Sequence, residues 1–167
     1  MKRDFSKLSI DLKKQLSLEY EIHLGVIAAD TKRKLDKTKE EIQKETETVI
    51  NNATILFFNE NGSPLRNIPS RPVLDYTIRD SQKLINKTVD SIINNVVQYG
   101  MSENKIEAEL KILCMRIEKI ARKMIYDNNG TFAPNAPSTI KRKGGNHPLF
   151  DTGQLARSIT CRLKKVL

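Results

Sequence analysis

Apolar positions return at helical spacing over two long stretches of the chain. Between residues 79 and 98, Leu84, Ile85, Val89, Ile92, Ile93, Val96 and Val97 recur in pairs four apart, which predicts a helix with a broad apolar face. Gly100 supplies its stop. From an N-cap at Ser102, Ile106, Leu110, Leu113, Ile117, Ile120 and Met124 step alternately by four and three, a seam-like stripe of about five turns. So short a break between the two predicts an antiparallel pair, and the stripes themselves read as core rather than as a cofactor box.

The flanking segments carry weaker periods. Phe5, Leu8, Leu12 and Leu16 form one apolar line, predicting an amphipathic helix over 4–16. Tyr20, Ile22, Leu24 and Val26 then alternate with polar or small residues, as in a half-buried strand, which places His23 on the solvent side. Residues 30–48 are almost wholly polar and read as a protruding insertion. Pro69 and Pro72 forbid regular helix and favour an extended, rigid connection before the first long helix. Beyond Asp127 the chain reads as a long loop rich in Pro and Gly, closing in a second strand where Ile159, Cys161 and Leu163 alternate with Thr160, Arg162 and Lys164. The expected class is α+β, with residues 1–167 as a single domain. A small antiparallel or mixed sheet, including the N-terminal-region and C-terminal strands, would pack against the two long helices.

Composition narrows the picture. At 167 residues the chain can bury a sizeable core without disulfides. Cys114 and Cys161 lie far apart without a CxxC and are expected to be reduced, buried and inert. No signal-like apolar run opens the chain and nowhere do about 18 apolar residues follow one another, so a cytoplasm-like compartment and no membrane are expected. Charge is uneven: residues 101–167 hold 13 basic and 6 acidic side chains, against 16 and 14 in residues 1–100. Such a field attracts polyanions or keeps the protein soluble.

The sharpest candidate for chemistry is Asp151-Thr152-Gly153, the order in which an aspartic protease presents its carboxylate. That chemistry needs two carboxylates sharing a proton about 3 Å apart within a β scaffold. One motif, followed by only 14 residues after Gly153 and preceded by long helices, does not supply it. The expectation is structural: Asp151 as N-cap of a short helix "GQLARS", with Thr152 and Gly153 completing the turn and Leu149, Phe150 and Leu155 anchoring it. No phosphate loop, metal-ligand spacing or nucleophile–base pair stands out, so no enzyme, cofactor or metal is expected.

Two phrases do more than spell turns. "APSTIKRKGGNHPLFDTGQLARSI", residues 136–159, resembles the closing motif of tail-completion or neck proteins of tailed bacteriophages, and "NENGSPLRNIPSRPVLDYTI", residues 59–78, resembles an earlier phrase of the same family. They stand in the family's order of strand, IPxRP loop, helices and DTG. Where the family has Glu-Phe-Gly this chain has Glu60-Asn61-Gly62, and Val73 replaces the aromatic after IPxRP, with Phe57 or Phe58 as substitutes.

The resemblance implies a non-enzymatic virion component at the head–tail junction. Its partners would be itself, in a homo-oligomeric ring of six or twelve subunits, the portal or connector, and the tail-tube or tail-terminator proteins. Arg71 and Pro72 would then meet a neighbouring subunit or partner, and Lys141, Arg142 and Lys143 would face passing double-stranded DNA without reading bases, or an acidic partner. The rival reading from composition is a small basic nucleic-acid-binding or regulatory protein, supported by a pI near 9.6. No tryptophan, 5% aromatic content and the lack of a helix-turn-helix, RNP or zinc signature weigh against it.

Overall fold

The computed structural model describes residues 14–27, 51–127 and 130–166. The expected polar insertion at 30–48 lies outside them, as does the expected helix at 4–16 except for 14–16, which are helical. The described elements are β1 (Tyr20–Val26), α1 (Asn52–Asn61), a 3-10 turn (Pro64–Arg66), α2 (Val73–Tyr99), α3 (Glu103–Asp127), α4 (Pro137–Lys143), α5 (Gln154–Ser158) and β2 (Ile159–Lys165). The class is α+β: β1 and β2 form a two-stranded antiparallel sheet, and the two long helices pack together. Among the described residues no helix is long and apolar enough to cross a membrane.

The chain gathers into two compact units. The described residues of the first are 14–24, 76–120 and 161–166; those of the second are 25–27, 51–75, 121–127 and 130–160. The core of the first is Ile92 and Val96 of α2 against Ile106, Leu110, Leu113 and Ile117 of α3, with Tyr20, Leu24, Cys161 and Leu163 of the strands packed on it. The broad face expected on α2 splits. Ile92 and Val96 are buried, whereas Val89, Ile93 and Val97 remain 39%, 46% and 55% exposed. A step of one residue turns a helix by about 100°, so one partner covers one line and leaves the next outside.

The seam on α3 also drifts. Toward its C-terminal end the buried positions are Ala121 and Ile125, while Ile120 and Met124 are half-buried. Met124 stands 18 residues, five full turns, from Ile106 and so on the same line, which means that the neighbours of this end of the helix cover the next line round.

Cys114 and Cys161, distant in sequence, share a hydrogen bond, and Cys161 N–H donates to Glu118 Oε2 at 3.0 Å. Cys114 is buried as expected, while Cys161 is only half-buried. Burial pushes both thiols above the ordinary value of 9.0, and for Cys161 the bond to Cys114 adds to the rise. The neutral thiols are thus favoured in the fold. Their contribution is full below pH 9 and is lost as pH rises past the point where the unfolded thiols ionise. Wild-type melting temperature should therefore fall between pH 8.5 and 10 more steeply than that of Cys114→Ala/Cys161→Ala; parallel curves would contradict this.

Candidate functional site

The second unit brings the two phrases together. Its first helix, α1, stands where the resemblance implies a strand, and local chemistry explains the helix. The Asn51 side chain accepts from the Thr54 backbone N–H at 2.8 Å, an N-cap, and Leu56 and Asn52 turn inward one helical turn apart. Phe57 is exposed midway along this helix, while Phe58 lies beneath the Arg66 guanidinium, which is 5.5 Å from its ring centre.

After α1 the chain folds back on itself tightly. Gly62 adopts φ 72° and ψ 178°, Ser63 and Ile68 exchange two backbone hydrogen bonds, and Ser70 Oγ donates to the Glu60 carbonyl at 2.7 Å. The expected extended connection runs from Pro69 to Pro72, and α2 starts at Val73, six residues before the apolar period suggests. Glu60 explains the early start. Its carboxylate accepts from the backbone N–H groups of Leu74 at 3.1 Å and Asp75 at 3.0 Å, satisfying two otherwise open donors and placing negative charge at the positive end of the helix. Glu60→Ala should cost about 1–2 kcal/mol, read as a lower denaturant midpoint with unchanged slope. A midpoint equal to wild type would contradict the capping role.

Arg71 joins the phrases. Its Nε–H donates to the Ala133 carbonyl and an Nη2–H to the Pro134 carbonyl, both at 2.9 Å, while Nη1–H reaches Asn59 Oδ1 at 3.3 Å. Ala133 and Pro134 lie in irregular chain, where no helix or sheet ladder meets their carbonyls. A planar guanidinium is the side chain whose donors diverge in the right fork. The expectation of a partner contact at Arg71 is thus corrected: the residue is 7% exposed and its bonds stay within its own chain. Burial lowers its pKa from the ordinary value, and the acceptors are neutral oxygens. Pro72 is half-buried beside it.

The closing phrase holds two short helices where a long loop is expected. Pro137 occupies the first turn of α4 and Gly144, at φ 71°, ends it, its N–H donating to the Ile140 carbonyl. Lys141, Arg142 and Lys143 therefore form the last turn, where positive charge suits the helix dipole. Lys141 and Arg142 are exposed, but Lys143 Nζ donates to the Phe150 carbonyl at 2.8 Å and holds the following bend. Of the three residues expected to face DNA or an acidic partner, Lys143 thus serves the fold.

Asp151, Thr152 and Gly153 form the bend before α5, but the N-cap position is Gly153, at φ 74°, and not Asp151 as expected. The Arg157 guanidinium donates to the Thr152 carbonyl, closing the bend. Leu155 is buried as an anchor, with Ala156 and Ile159 beside it in sequence, while Leu149 and Phe150 are half-buried. Phe150 contacts the Tyr126 and His147 rings at 5.5 and 5.6 Å. Arg122 repeats the Arg71 device, donating to the Ile159 and Arg157 carbonyls where α5 passes into β2.

Between the phrases lies a cavity of about 600 Å³. Asn59, Arg66, Ile68 and Pro69 line it from the first phrase, and Arg142, Leu149, Asp151 and Leu155 from the second. Asn135 and Arg122 carry no signal in the sequence analysis, and Glu60 enters it only as part of a phrase, without its capping role. Glu60 works on a helix start 14 residues downstream, a range at which no local capping signal operates. No family model, curated protein or solved structure matches the chain.

Proposed function

We propose that the chain is a structural virion protein of a tailed bacteriophage. It forms a ring at the head–tail junction, joins the tail to the portal or connector, and lets DNA pass. It assembles in the host cytoplasm and resides in the virion. The observation that carries the reading is the interlock of the two resembling phrases: Arg71 of the first binds the chain immediately before the second.

A head-to-tail ring closes only if each subunit repeats the same rotation, so its presenting loops must hold one shape. Proline-fixed backbone, a capped helix start and a buried guanidinium fork provide that kind of rigidity. Exposed Lys141 and Arg142 suit sequence-blind contact with phosphate or with an acidic partner ring.

Electron microscopy of negatively stained protein, alone and mixed with purified tails, tests the reading. Rings, free or capping one end of the tail, are expected. A protein that stays monomeric with tails while shifting labelled duplex DNA at physiological salt would replace the reading with that of a small nucleic-acid-binding protein.

A further inference from the structure

The cavity in the second unit has the attributes of a receptor, and they are independent of a head–tail role. At about 600 Å³ it falls in the size range of ligand clefts, roughly 300–1,000 Å³. Arg66 and Arg142 line it from different phrases, both exposed and neither paired with a carboxylate among the described residues. Asn135 also lines it. This side chain is 9% exposed: its carbonyl oxygen faces Arg71 Nη2 at 3.5 Å, and its amide nitrogen is buried without a hydrogen-bond partner, so it belongs to the wall. Ile68 and Leu149 add apolar surface.

We propose that this cavity binds a carboxylate-bearing, partly apolar segment of a partner protein, with Arg66 and Arg142 taking the carboxylates. Guanidinium forks match carboxylate geometry in pairs of parallel bonds. The wall is preorganised, since the Arg71 bonds fix Ala133 and Pro134, next to Asn135, and so reduce the ordering cost of binding. Duplex DNA fits less well. It is a stiff polyanion with one charge per about 1.7 Å, whereas the cavity is concave, has apolar walls and carries Asp151 in its lining.

Fluorescence anisotropy with labelled acetyl-ELELEL-amide and its neutral counterpart acetyl-QLQLQL-amide tests the assignment. The acidic peptide should bind saturably, with the neutral one at least about tenfold weaker. Arg66→Glu/Arg142→Glu should weaken acidic-peptide binding by at least about tenfold, and the milder Arg142→Gln should weaken it by a smaller factor. Lys141→Glu, on the same helix but outside the cavity lining, should change it less than about twofold, because rim charge away from the contact acts mainly through the screened field.

Thermal unfolding verifies that each variant folds; Arg142→Gln carries the test if the double variant does not. Equal loss with Lys141→Glu would reduce the effect to net charge and overturn the proposal. So would the absence of saturation below about 1 mM, or unchanged peptide binding alongside lost binding of a 20-bp duplex. None of these results depends on whether rings form.

Discussion

Replacing Arg71 by alanine is expected to lower the melting temperature by about 6–12 °C. The change removes a buried charged donor from two carbonyls at 2.9 Å that no other group of the fold is shown to meet. Hydrogen bonds to charged groups contribute about 1.5–3 kcal/mol each, so the pair is worth about 3 kcal/mol or more. For a chain of this length each kcal/mol moves the midpoint by about 2–4 °C. Arg71→Lys should recover less than half of the loss, since one ammonium cannot reach two diverging acceptors as a fork does. A shift below about 2 °C for the alanine variant, measured by circular dichroism, would contradict the role assigned to this residue.

Gly62→Val is expected to be comparably severe, costing about 2–5 kcal/mol. At φ 72° and ψ 178° the backbone occupies a region that is essentially confined to glycine, with a strain of about 1–3 kcal/mol for other residues. A Cβ there would also meet the Ser70 nitrogen at 2.9 Å and the Ile68 carbonyl oxygen at 3.1 Å. Both are backbone atoms of the turn that carries Arg71 into place, so neither yields cheaply. Gly130→Ala provides the contrast. Its φ of 79° carries a left-handed cost of about 1–2 kcal/mol, but nothing lies within 4 Å of the added carbon. Equal destabilisation by the two variants would mean that the close approach at Gly62 contributes nothing.

What could be read from the sequence was governed by range. Val96 and Leu113 announce their helices because the period that buries them is local, and Gly100 and Ser102 mark ends through chemistry confined to a turn. β1 and β2 follow from alternation in the same way, although Ile22 is 37% exposed. The strand expected before the IPxRP loop came only from the resemblance, whereas Asn51 as N-cap was the local signal for the helix that stands there.

Tertiary contacts set the remainder. Whether Val89 or Ile92 of one broad face is buried depends on where a second helix lies. Arg71 between two prolines reads as a presented charge until the carbonyls 62 and 63 residues later are seen to accept its protons. Cys114 and Cys161 meet for the same non-local reason. Asp151 was legible as part of a bend, but the left-handed glycine that follows it moves the helix start two residues along.

The central claim is that the two phrases form one cooperative body through the buried guanidinium. Amide hydrogen exchange of wild type and Arg71→Ala, followed by mass spectrometry of peptides covering 62–72 and 133–158, tests it most directly. The claim predicts that both segments exchange roughly 100-fold faster in the variant, as a loss of about 3 kcal/mol requires, while the 106–117 segment of α3 keeps its protection. Faster exchange confined to 62–72, with 133–158 unchanged, would contradict it.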